Sequence, residues 1–71
     1  MMDNKYKIII SNEKIYIRNY KRIFDINYLQ IVIEVENNKI FINGNNLLIV
    51  KMDKYDIEIN GKIKGISFEN E

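Results

Sequence analysis

The sequence predicts an all-β domain, and three observations carry that expectation. Apolar and polar residues alternate with period two nearly throughout, no window shows helical spacing, and isoleucine, a β-former, dominates the apolar positions. Short runs at this spacing predict a small antiparallel meander or sandwich whose strands are joined by Asn and Gly turns. In chain order the candidate strands cover 5–10, 13–19, 22–26, 28–36, 39–43, 47–52, 55–60 and 62–68.

The second of these strands puts Ile15 and Ile17 on one face and Tyr16, Arg18 and Tyr20 on the other. Farther along, the hairpin 28–43 can be tested by face parity. With Asn37 and Asn38 as a two-residue loop, Glu36 faces Lys39, Val35 faces Ile40 and Ile33 faces Ile42, so opposed residues share a face. Asn tolerates the positive φ that a type I′ turn needs. Around Asn43 and Gly44, a loop of two or four residues keeps Ile40 and Ile42 on the face of Leu47 and Ile49. Strand 47–52 is apolar on both faces, with Leu47 and Ile49 on one and Leu48, Val50 and Met52 on the other. Such a strand is a covered core strand, or has one face covered by another chain. A two-residue loop at Asn60 and Gly61 would mix the faces, so a three-residue loop is expected there, with Gly61 left-handed. Ile63 and Ile66 are three apart, which calls for a β-bulge near Lys64 and Gly65.

A second architecture competes. "IFINGN" at 40–45 and "IEINGK" at 57–62 repeat at a separation of 17, as do Ile15, Val32, Ile49 and Ile66. A fixed period can mean a short β-solenoid. The consistency of the hairpin around Asn37 and Asn38 favours the meander.

Seventy-one residues make one domain, 1–71, that can bury roughly 60% of its unfolded surface. Cysteine and histidine are both absent, so neither a disulfide nor structural zinc is expected, and a domain so small often leans on a partner or on oligomerisation. A reducing cytoplasm fits the missing cysteine. Residues 1–10 have no long apolar core or small-residue cleavage site, so no leader is expected, and the longest apolar run, 47–50, is too short for membrane insertion. Ile, Asn and Lys dominate while Ala, Thr, Pro and Trp are missing, as an AT-rich genome would choose.

Catalytic chemistry finds little support. Ser11 and Ser67 are the only hydroxyls besides tyrosine and have no histidine as base. Asp53 and Asp56 read better as the flanks of a solvated turn than as a catalytic pair, and the alternating ligands of a calcium loop are missing. The glycines at 44, 61 and 65 are not clustered to cradle a phosphate. Tyr16, Arg18, Tyr20, Lys21 and Arg22 could combine stacking with a basic surface, as single-strand binders do. Yet net charge is +1 and acids are interspersed, which disfavours nucleic acid. The same face reads more simply as solvent-exposed or as a protein contact.

Three pieces in order, Asn19-Tyr20-Lys21-Arg22-Ile23, Ile42-Asn43-Gly44-Asn45-Asn46-Leu47-Leu48-Ile49 and the run from Ile57 to Phe68, resemble the YabP/YqfC family of sporulation proteins, its YqfC branch in particular. The resemblance covers about 8–68. It implies a mother-cell protein of an endospore-forming Firmicute, needed for normal spore development, with no enzymatic activity and no cofactor. It also implies a partner that is a membrane protein encoded beside it, placing the domain on the cytoplasmic side of the outer forespore membrane. The partner-facing candidates are Tyr16, Arg18, Tyr20, Leu48, Val50 and Met52, with structural turns at Asn37, Asn38, Gly44, Gly61 and Gly65. A homo-oligomer also stays open. The alternatives are a nucleic-acid-binding β module using Tyr16, Arg18 and Tyr20, and a small-ligand domain.

Overall fold

The computed structural model describes residues 5–70, so the ends of the expected 1–71 domain, and residues 1–4 of the stretch searched for a leader, lie outside the described residues. Six strands form: β1 (Lys7–Ser11), β2 (Lys14–Arg18), β3 (Arg22–Ile26), β4 (Gln30–Val35), β5 (Asn38–Met52) and β6 (Asp56–Asn70). They make one open sheet in the order β1-β2-β6-β5-β4-β3, and every neighbouring pair is antiparallel. The all-β expectation holds. The solenoid does not, because stacked rungs would pair in parallel and no pair here does.

The sheet cannot be flat. β2 and β3 are four strand steps apart in the order, which at ~4.8 Å each is about 19 Å. Only residues 19–21 join them, and the four Cα steps from Arg18 to Arg22 reach about 14 Å at most. The sheet therefore folds over on its two long strands. β4 pairs only with the start of β5, up to Asn43, and β2 only with the start of β6, up to Asn60. One layer is then β1-β2 with the start of β6 and the end of β5. The other is the end of β6 and the start of β5 with β4-β3. Strands that switch layers by bends and bulges are the usual corner of such a sandwich.

Both inner faces meet in a single core. Ile15, Ile17, Ile57 and Ile59 come from the first layer, Ile31, Ile33, Val35, Ile40 and Ile42 from the second, and Leu47 from the bend. The five residues from β2 and β4 are fully excluded from water. Truncating any one of these isoleucines to alanine would cost about 2–5 kcal/mol.

The corner sits at two glycines. Gly44 and Gly61 were expected in turns, but the segments 39–43 and 47–52 form one strand, β5, and 55–60 and 62–68 form β6. The chain does not reverse at either glycine, because β5 and β6 pair with each other past both. The surplus residues go into register shifts at Asn43/Gly44, Asn45/Leu48 and Ile49/Lys51. Gly61 does have positive φ, 142°, but inside β6 and not in a three-residue loop. A Cβ on Gly44 would collide with the Lys62 carbonyl oxygen, and one on Gly61 would sit 2.8 Å from the Asn46 carbonyl oxygen. The bulge expected near Lys64 and Gly65 is present: Asn43 faces Gly65 and Gly44 faces Ile63, leaving Lys64 as the extra residue.

The hairpin between β4 and β5 exists, but its turn is Glu36 and Asn37. Val35 faces Asn38, Glu34 faces Lys39 and Ile33 faces Ile40, two residues away from the expected register. A shift of two preserves face parity, so hydrophobic matching could not separate the registers. Asn37 alone has positive φ, 65°, so the turn is not type I′, and Asn38 is a strand residue. Strand 28–36 begins later than expected, at Gln30, because the Asn27 side chain accepts hydrogen bonds from the amides of Leu29 and Gln30, each at 2.8 Å.

Candidate functional site

Strand β2 lies one strand in from the edge, so its outer face has neighbours on both sides. Tyr16 sits between Ile9 on β1 and Glu58 on β6, and Arg18 between Lys7 and Asp56. Lys14 pairs with Glu58 at 3.4 Å. The Tyr16 phenol is raised above its ordinary value by desolvation first and by the nearby Asp56 carboxylate second. Carboxylates thus stand beside Tyr16 and Arg18, and this face is no continuous track of positive charge.

Tyr20 leaves that face. Asn19 is left-handed, with φ 63°, which breaks the alternation after Arg18. The Tyr20 ring packs against the core and its hydroxyl donates to the Asp53 carbonyl oxygen at 2.8 Å. The Asn19 amide donates to the Tyr55 carbonyl oxygen at 2.7 Å and the Lys21 amide to that of Glu34 at 2.8 Å. The remaining bases of the cluster meet acids of this chain. Lys21 pairs with Glu36 at 3.1 Å, and the Arg22 Nε donates to the buried Glu34 carboxylate at 2.8 Å. Phe24, the extra residue in β3, lies between Arg22 and Lys39, 5.0 and 4.4 Å from its ring centre. Residues 19–22 are therefore the joint between the two layers.

The end of β5 is different. Leu48, Val50 and Met52 are 62%, 44% and 55% exposed. They do not share one face, as strict alternation predicts. Leu48 faces Asn60, Met52 faces Ile57, and Val50 is the extra residue at the shift between Ile49 and Lys51. With β6 on one side and, among the described residues, no strand paired on the other, they line an exposed apolar border. The sequence reading missed that this border continues. The Leu47 amide donates to the Tyr28 carbonyl oxygen at 2.9 Å and the Gly44 amide to that of Leu29 at 3.0 Å, which brings exposed Tyr28 and Leu29 up to the bend. Asn27, with its turn-forming side chain, was the available signal.

Asp53 and Asp56 form the tip of the β5–β6 hairpin. The Asp53 carboxylate accepts from the Tyr55 and Asp56 amides at 2.9 and 2.8 Å, and these bonds hold it below the usual carboxylate range. That is a turn-forming arrangement. Open hollows lie along this tip beside Arg18 and Asn19, and at the β1–β2 turn between Ser11, Lys14, Asn60 and Gly61. Among the described residues no three His, Cys, Asp or Glu side chains are placed to hold a metal, and no helix is long and apolar enough to cross a membrane.

A family model, that of the YabP family, matches residues 2–71. No curated protein and no solved structure matches the chain. The chain belongs to the YabP family, a family that marks it as a sporulation-related protein.

Proposed function

With that membership as premise, we propose that the protein takes part in sporulation without catalysis, by binding another protein. Its partner is a membrane protein encoded beside it, and its place is the mother-cell cytoplasm, at the surface of the outer forespore membrane. The observation that carries the reading is the border of β5, where Leu48, Val50 and Met52 stay exposed and, among the described residues, no strand pairs along their free side. Exposed apolar residues gathered along one strand border in this way mark interaction surfaces. Tyr16 and Arg18, the other partner-facing candidates, lie among Asp56 and Glu58, a mixed surface suited to the rim of a protein contact.

Val50→Lys tests the proposal. Because Val50 is about half exposed and lies at a bulge, the variant should keep the wild-type circular dichroism. Tagged wild-type protein should retain the neighbouring-gene membrane protein from detergent-solubilised sporulating cells, and the variant should lose it. Equal retention by both proteins would refute the assignment of the border.

A further inference from the structure

The exposed edges of the sheet are not equivalent. β3 carries the Phe24 bulge between Arg22 and Asp25, the end of β6 carries the Lys64 bulge beside Lys62, and the end of β5 carries the Val50 bulge beside Lys51. Bulges and charges are the devices that keep an edge from pairing with another chain. β1 lacks the bulge: it pairs with β2 over its whole length with no register shift, and it reads Lys-Ile-Ile-Ile-Ser. Ile9 and Ile10 are 50% and 55% exposed. Ile10 faces the fully buried Ile15, so it lies on the inner side of its layer, and among the described residues no strand follows β1 to cover it.

The geometry points to a second copy of this chain as the missing strand, with β1 antiparallel to β1 about a two-fold axis through Ile9. In that register Ile9 faces the second copy's Ile9, Ile8 faces its Ile10, and Lys7 faces its Ser11. An odd shift would bring inner residues against outer ones. Placing Ile8 on the axis would set Lys7 against Ile9, and placing Ile10 there would set Ile9 against Ser11. Only the Ile9 axis matches every isoleucine of β1 with another. It also lays Ile10 beside the second copy's Ile8, which packs on the core of its own chain, so the inner face continues from one molecule to the next. A two-fold contact of this kind closes at two copies, and a net charge of +1 opposes it little. This surface is separate from the β5 border, and either can be lost without the other.

The chain has no cysteine, so a single introduced thiol reports the register. Residues directly opposed in antiparallel strands have Cα atoms about 4.5–5.5 Å apart, within disulfide range. Under mild oxidation Ile9→Cys should form a covalent dimer. Ile8→Cys and Ile10→Cys should do so only when mixed. Ile9→Lys, at a half-exposed position, should keep its circular dichroism and sediment as a monomer where the wild type sediments as a dimer, while still capturing the membrane partner. A wild type that stays monomeric at high concentration overturns the inference. So does a dimer that crosslinks through Leu48→Cys and not through Ile9→Cys.

Discussion

Among the described residues three asparagines, Asn19, Asn37 and Asn46, have positive φ, and each stands where the chain changes direction or register. Asn is among the few non-glycine residues that enter this region readily, since its short amide side chain can hydrogen-bond locally. The sequence marks Asn37 as a turn residue, whereas Asn19 and Asn46 enter it only as parts of the family resemblance. Asparagine is so common in this chain that its presence carries little local information, and compositional bias accounts equally well for each one. Substitution separates the structural asparagines from the rest. Asn37→Gly should leave stability unchanged or slightly higher, while Asn37→Val should lose about 1–2 kcal/mol because a β-branched residue resists φ near 65°. Asn38→Val should be tolerated, because Asn38 is an ordinary strand residue. Denaturant midpoints give the answer, and a larger loss at Asn38 than at Asn37 would restore the Asn37 and Asn38 turn.

At the scale of elements, β1, β2 and β3 were legible to within two residues, and the core isoleucines of β4 and β5 were assigned to the right face. The two long strands were not. Asn43-Gly44 and Asn60-Gly61 carry the local chemistry of hairpin turns, and only the long-range pairing of β5 with β6 reveals that the chain bends there without reversing. The repeat of "ING" at 42–44 and 59–61 has the same origin, since each long strand needs one residue without a side chain where it passes between layers. The exposure of Ile9 and Ile10 was hidden for a related reason: edge status is a property of strand order, which one strand's sequence does not contain. The three glycines should therefore behave differently when replaced by alanine. Gly44→Ala and Gly61→Ala should each cost about 1–3 kcal/mol, since the added methyl meets backbone carbonyl oxygen. Gly65→Ala has open space and no positive φ, so it should be neutral or up to about 1 kcal/mol stabilising. Thermal melts of the three variants check this order, and equal effects would mean that the bends are not set by these glycines.

For the molecule as a whole, the consequence of folding one sheet over on itself is that neither layer has a core of its own. Ile15 and Ile17 are sealed by the layer that contains Ile31 and Ile33, and the reverse holds equally. The ribbon of β5 and β6 runs through both layers, so loosening one strains the strands of the other. Total stability at this length is roughly 4–10 kcal/mol. Ile17→Ala in the first layer and Ile33→Ala in the second should each remove about 2–5 kcal/mol of it, a large share of the whole. Both variants should unfold in one transition, with tyrosine fluorescence and far-ultraviolet circular dichroism giving the same midpoint. Hydrogen exchange extends the test to the wild type, where the amides of β2 and β4 should lose protection together as denaturant is added. If Ile33→Ala released β3 and β4 while β2 stayed protected, the layers would be independent units. Residues 19–22 would then be a linker and not the joint that their hydrogen bonds to Tyr55 and Glu34 describe.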